Sequence, residues 1–261
     1  MTDRASEAVA KVPEVVFGFW VIKIAVTTLG ETGGDWVTMT LDLGYLIGTG
    51  IFAVLFLGLV AAQVRAARFG PFLYWGTIAA TTTLGTTLAD FADRSLGIGY
   101  PGGVAIVSSL LAVSLGLWYW VEGSVSIQSI VLRRVEWFYW STILFSQTLG
   151  TALGDWAASS DQGGLGWGYE YSAIIFGVGL IVVATLYFWT KLSHTLLFWA
   201  AFILTRPLGA TLGDLLDKPI AEGGMNLSRL YASLILLGFI VACVLLLPQR
   251  PAKHEEDRVA A

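Results

Sequence analysis

Residues 75–90 read WGTIAATTTLGTTLAD, and three further stretches of the chain follow the same pattern. Each copy starts at a Trp that another aromatic residue precedes; the four are Trp20, Trp75, Trp140 and Trp199. Counted from this Trp, a Gly stands at +10 and an Asp at +15 in every copy. The copies follow one another at broadly similar intervals, and such self-similarity indicates duplicated supersecondary units.

Composition places these units in a membrane. Of the 261 residues 56% are hydrophobic and 13% charged, and the mean hydropathy is +0.71, which is typical of membrane proteins. The candidate spans are 13–40, 42–64, 71–95, 101–122, 136–158, 169–190, 194–217 and 227–248. The sequence therefore predicts an all-α polytopic membrane protein with eight transmembrane helices, two from each of four repeats.

The positive charges predict the orientation. Ten of the 15 Lys and Arg residues fall in the tails and in every second connection: Arg4, Lys11, Arg65, Arg68, Arg133, Arg134, Lys191, Arg250, Lys253 and Arg258. The opposite side has Arg94, Lys218 and Arg229. By the positive-inside rule both termini are cytoplasmic, which suits a multi-pass protein with an even number of spans.

The repeats also predict how the chain divides. We expect a tail at 1–12, a first transmembrane half at 13–122, a cytoplasmic linker at 123–135, a second half at 136–248 and a tail at 249–261. All motif helices should point the same way, because each unit contributes two spans. The second and fourth copies carry an extra acid at +18, which favours a pseudo-twofold relation between the halves.

Polar side chains recur at +8, +11, +15 and +18, positions that share one face of a helix. Seven acids lie on this face or beside it: Glu31, Asp35, Asp90, Asp93, Asp155, Asp214 and Asp217. Threonines offer neutral oxygens there: Thr28, Thr83, Thr86, Thr148 and Thr151. An ionisable group inside a membrane span is costly, so its repetition indicates a functional pathway.

Glycines flank this polar face at +10 and +14: Gly30, Gly34, Gly85, Gly150, Gly154, Gly209 and Gly213. Such small steps let membrane helices approach closely, so these glycines predict tight packing between motif helices and specify no chemistry by themselves. A threonine in such a helix often bonds back to its preceding turn, and this structural reading stays open for the threonines above.

Two basic residues lie within the spans, and both could balance charge in an empty site. Lys23 is expected to extend towards the cytoplasmic interface. Arg206, nearer mid-span, needs an acidic partner, for which Asp90 and Asp155 are candidates. Arg206 is either half of a static ion pair or an internal cation that competes with a transported one.

The available ligands favour hard cations. Carboxylate, hydroxyl and carbonyl oxygens suit Mn²⁺, Mg²⁺ or Ca²⁺, and clustered carboxylates are candidates for proton exchange. One Cys and two His residues cannot form a cage for softer metals, and no covalent cofactor is expected. The net charge of −4 and the absence of a basic aromatic cluster argue against nucleic acid.

Other readings remain for the aspartates. Each could cap a short following segment, or lie in water beyond its span. No nucleophile elbow, phosphate loop or metalloprotease helix occurs, so an enzyme is not expected. An intramembrane aspartyl hydrolase would need two acids rather than four equivalent copies.

The repeated T-x-G-x-x-x-(G/A)-D unit, with its aromatic-Trp start, resembles the repeat of bacterial inner-membrane proteins described as uncharacterised membrane-anchored proteins. The resemblance covers residues 14–248 and implies topology and a bacterial source rather than an activity. The fourth copy departs from the pattern at Pro207 and Ala210, so strict fourfold equivalence is not expected.

Together these features predict a transporter in the lipid bilayer that moves an inorganic cation, with export of a divalent metal of the Mn²⁺ type, coupled to protons, as the leading hypothesis. The alternative is a structural or partner-binding membrane protein whose acids form caps and ion pairs. A homo-oligomer and a monomer are both compatible with the sequence.

Overall fold

The computed structural model describes residues 10–127, 130 and 132–252. In this part of the chain eight long α-helices form: α1 (Phe17–Asp35), α2 (Gly44–Arg65), α3 (Pro71–Asp90), α4 (Tyr100–Glu122), α5 (Arg133–Ala158), α6 (Tyr169–Trp189), α7 (His194–Asp217) and α8 (Arg229–Leu246). The expected all-helical fold is confirmed. By length and composition five of the described helices could cross a membrane: α2, α4, α6, α7 and α8.

The four motif helices α1, α3, α5 and α7 pack in chain order into a closed ring, with α7 returning to α1. Outside the ring, α2 packs on α3, α4 on α5, α6 on α7 and α8 on α1. The second helix of each repeat therefore covers the motif helix of the next repeat, and the last covers the first. Because each repeat packs its outer helix on the next repeat, all four repeats form a single bundle.

The same close contact recurs at each of the four ring interfaces. A Cβ on the glycine at +10 would touch the side chain at +7 of the next motif helix: Gly30 faces Thr82, Gly85 faces Gln147, Gly150 faces Arg206 and Gly209 faces Thr27. At three interfaces the glycine at +14 likewise faces the side chain at +11 of the next helix: Gly34 with Thr86, Gly154 with Ala210 and Gly213 with Glu31. Because equivalent positions meet, the motif helices run parallel and in register.

The two ends of the described chain lie side by side. The Glu14 amide donates to the Arg250 carbonyl at 2.8 Å, and the Ala252 amide donates to the Val12 carbonyl at 2.9 Å. An even number of helices brings the termini to the same end of the bundle. Arg4, Lys253 and Arg258, which entered the orientation argument, lie outside the described residues, as do parts of both expected tails.

The aspartates at +15 do not cap a following segment. Asp35 and Asp90 each end their helix and lead directly into a π-helical turn, at Trp36–Thr40 and Phe91–Ser95. Neither side chain accepts a capping hydrogen bond from that turn. The helices α5 and α7 continue past their own aspartates to Ala158 and Asp217. The capping explanation is therefore wrong for this fold.

Candidate functional site

Buried polar side chains form a column inside the ring. The side chains at +7, which belong to Thr27, Thr82, Gln147 and Arg206, have no solvent exposure, and those at +11 above them are buried as well. The aspartates at +15, called the ring aspartates, are at most 4% exposed. The reading in which they lie in water beyond the spans is thus also wrong.

Arg206 occupies the centre of this column. Its Nη2 lies 2.9 Å from Glu31 Oε2 and also donates to the hydroxyls of Thr86 and Thr151. These three acceptors occupy position +11 in the other three repeats. The partner of Arg206 is Glu31, and the expected pairing with Asp90 or Asp155 is wrong because the guanidinium reaches the +11 level instead of the +15 level.

The ring aspartates are joined in pairs by basic side chains at +19 of the second and fourth repeats. Arg94 Nε lies 2.9 Å from Asp90 Oδ1, and Arg94 Nη2 lies 3.9 Å from Asp155 Oδ2. In the same way Lys218 contacts Asp35 and lies 3.1 Å from Asp214. Each cation bridges its own aspartate to that of the next repeat, so the charges repeat with twofold rather than fourfold order.

The two halves differ at the +18 acids. Asp217 Oδ2 lies 3.4 Å from Arg229 Nε at the start of α8. Asp93 is 1% exposed and lies against Gly103 near the start of α4, and its carboxylate has no hydrogen-bond or ion-pair partner among the described residues. The start of a helix is a favourable place for a negative charge, which partly explains how Asp93 is accommodated.

Lys218 follows α7 directly and remains a cation at neutral pH. Burial lowers the pKa of its ammonium group, but the carboxylates of Asp214, Asp35 and Asp217 raise it by more. The net result is a pKa well above the usual value for lysine. Because the folded pKa is raised, the stabilisation that this lysine contributes is lost as the pH rises through the strongly alkaline range.

Two sets of three carboxylates are close enough to ligate one metal ion. Glu31, Asp155 and Asp214 place one oxygen each within 4.8 Å of one another, and Asp35, Asp214 and Asp217 do the same. All are buried. Asp214 belongs to both sets. Oxygen ligands at this spacing suit Mg²⁺, Ca²⁺ or Mn²⁺, provided that Arg206 or Lys218 gives up its contact with the ligating oxygen.

The remaining expected site residues lie elsewhere. Lys23 is completely buried and contacts Gln147 and Phe202, so the expected extension to the interface is wrong. Its amine has no carboxylate partner among the described residues. The hydroxyls of Thr28, Thr83 and Thr148 donate back to carbonyls of their own helices, so they stand apart from the acids.

Three basic residues of the site were interpreted from sequence only as charges of the non-cytoplasmic loops: Arg94, Lys218 and Arg229. For Arg94 and Lys218 the sequence does contain a local pattern that indicates an ion pair. The second and fourth repeats contain D-x-x-D-(R/K), at 90–94 and 214–218, in which the base at i+4 can reach the first acid on one helical face. Arg229 had no such signal, because its contact with Asp217 depends on how α8 begins.

Comparison with known proteins agrees with this geometry. The family model Repeat of Unknown Function (DUF347) matches residues 18–69, 73–124, 138–193 and 197–248. Each match covers most of one motif helix and all of the outer helix that follows it. No curated protein and no solved structure matches the chain. With four matches that cover most of its length, this chain belongs to the DUF347 repeat family.

Proposed function

We propose that this protein is a membrane transporter that moves a hard divalent cation through the polar column, with Mn²⁺ export as the specific hypothesis. The observation that carries the proposal is the convergence of Glu31, Asp155 and Asp214, from three different repeats, within 4.8 Å in a buried space. Separate helices have no packing reason to bring like charges together, and such groups mark ion pathways in membranes.

The charge count supports a cation as the substrate. Seven carboxylates lie at the +11 to +18 levels, and four basic side chains contact them: Arg94, Arg206, Lys218 and Arg229. Three formal negative charges are left when all groups are ionised. Protons or a divalent cation must compensate this excess in a buried site, which favours exchange of one for the other.

In this proposal the chain crosses the bilayer eight times, with both termini in the cytoplasm. The helices α1, α3 and α5 span although they carry charges, because their polar faces point into the ring and away from lipid. Fusion of a reporter to each connection tests this topology. The acids at +11 to +18 would then lie towards the non-cytoplasmic end. The aromatic side chains at the motif starts, such as Trp75 and Trp140, would lie towards the cytoplasm.

A static ion-pair core is the second candidate, and one observation favours it. Lys218 and Arg206 already contact oxygens of both carboxylate sets, so the acids have partners without any metal. In that case the column would hold the ring together, and the protein would act through its surface.

The test compares two ring aspartates. Asp214→Asn removes a ligand from both carboxylate sets, whereas Asp90→Asn removes one from neither. Each variant is expressed in a strain that lacks the gene, with Asp161→Asn, an exposed loop acid, as the control. Tolerance to Mn²⁺ and cellular Mn²⁺ content are measured at matched protein levels.

Transport predicts that the wild type and Asp161→Asn restore tolerance and lower the Mn²⁺ content, and that Asp214→Asn does neither while it still folds. Asp90→Asn should retain more activity than Asp214→Asn. If the wild type changes neither tolerance nor content, and the purified protein passes no Mn²⁺ in liposomes, the export hypothesis is rejected in favour of the ion-pair core.

A further inference from the structure

A second polar site lies deeper in the column, on the side of Arg206 away from the ring aspartates. It contains Lys23, Gln147 and Arg206, all without solvent exposure. Lys23 Nζ lies 3.4 Å from Gln147 Oε1 and 4.1 Å from the centroid of the Phe202 ring. No carboxylate pairs with Lys23 in the described part of the chain. A buried ammonium with only an amide and a ring face as partners is poorly compensated.

Several N–H donors of this site also lack acceptors. The side chain of Arg206 makes its described hydrogen bonds through Nη2, and its Nε and Nη1 have no acceptor among the described residues. The side-chain amide nitrogen of Gln147 has none there either. Buried donors in folded proteins are nearly always satisfied, so a cluster of unpaired ones indicates a missing acceptor.

We propose that Lys23, Gln147 and Arg206 bind a small inorganic anion, of the size and charge of chloride, inside the helix ring. Two basic groups and an amide supply the donors, while Glu31, the one carboxylate among the described residues that contacts this group, is bound by Nη2 of the guanidinium. Water could accept the N–H groups, but an anion would also stabilise the charged form of Lys23. An anion is therefore the ligand that this group of donors suits best.

The surroundings restrict access to this site. Beside Lys23 at the +3 level, the other side chains are those of Ile78, Ile143 and Phe202, all without solvent exposure. This apolar layer keeps water away, so electrostatic attraction acts at low dielectric. The site adjoins the first carboxylate set, because Arg206 also contacts Glu31, but it does not depend on cation transport.

Thermal unfolding of the purified full-length protein in detergent tests the proposal, with chloride as the probe. Chloride is exchanged for gluconate at constant sodium. We expect the wild-type melting temperature to rise saturably by a few degrees with chloride, because a ligand that binds only the folded state stabilises it. Lys23→Met should abolish this response, and Gln147→Leu should weaken it.

The control is Lys218→Met, which removes a buried cation at the acidic levels and should leave the chloride response intact. A melting temperature of the wild type that is independent of chloride overturns the proposal. So does a response that persists unchanged in both site variants, since the ion would then bind elsewhere. If Lys23→Met fails to fold, Gln147→Leu decides the outcome, because it removes a donor without changing the charge.

Discussion

Removal of the central guanidinium should destabilise the ring more than any loss of a surface charge. Arg206 is fully buried, and its Nη2 lies 2.9 Å from Glu31 Oε2. At an effective dielectric constant of about 20, two unit charges at this distance attract by about 6 kcal/mol. Part of this energy offsets the desolvation of both ions. Arg206→Met leaves Glu31 unpaired, so we expect the free energy of unfolding to fall by about 3–5 kcal/mol.

A double-mutant cycle measures the interaction energy between Arg206 and Glu31. Glu31→Gln should cost a similar amount, because it leaves the guanidinium without its counter-charge. The double variant should cost less than the sum of the single variants, by about 2–3 kcal/mol. The measurement is reversible unfolding in mixed micelles, followed by circular dichroism at helical wavelengths.

The chain offers a matched control for this cycle. Arg134 Nε and Glu122 Oε1 lie 2.6 Å apart, but the Arg134 side chain is 65% exposed. Arg134→Met should change the unfolding free energy by at most about 1 kcal/mol. Additivity of the Arg206 and Glu31 variants to within about 0.5 kcal/mol would refute the central pair as an energetic unit.

Three further outcomes follow from the same contacts. Gly150→Ala should destabilise the protein by about 1–3 kcal/mol, because the added Cβ would overlap a side chain of α7. The control Gly116→Ala, which has open space around it, should be neutral or stabilising, and thermal melting compares the two variants. Lys218→Met should reduce the melting temperature at about pH 7 and still reduce it at about pH 9, because the raised pKa keeps this lysine charged at both. A loss that disappears at the higher pH would contradict that protonation state. Asp93→Asn should preserve or raise stability, since no cation pairs with this acid in the described part of the chain, while Asp217→Asn should lower stability by removing the partner of Arg229 on α8. Equal effects of the two variants in chemical unfolding would contradict this difference between the two halves.

The inner surface of the ring was only partly predictable from sequence. The stripe at +8, +11, +15 and +18 identifies the correct side of each helix, and the side chains at +11 and +15 do meet in the column. The threonines at +8 instead bond to their own helices, and the side chains at +7 line the centre. The side chains at +7 and +8 point in directions that differ by one residue's rotation about the helix axis. Periodicity does not decide which of the two faces the centre, because this depends on how each helix is tilted in the ring.

Ion pairing required the three-dimensional arrangement even where a local signal existed. The D-x-x-D-(R/K) segments predict contacts between Arg94 and Asp90 and between Lys218 and Asp214, within one turn. They do not predict the second contacts, with Asp155 and Asp35, which cross to the next repeat. Those depend on the order of helices in the ring, and on its closure from α7 to α1.

The sequence by itself determined the helical class and the number of repeats, because hydrophobic periodicity and repeated spacing are local properties of the chain. Only the tertiary structure decided that Arg206 pairs with Glu31, that Lys23 has no carboxylate partner among the described residues, and that cations join the ring aspartates in pairs. These contacts join residues that are far apart in the chain. Their distances follow from how glycine and threonine faces of successive helices fit together, and no single segment contains that information.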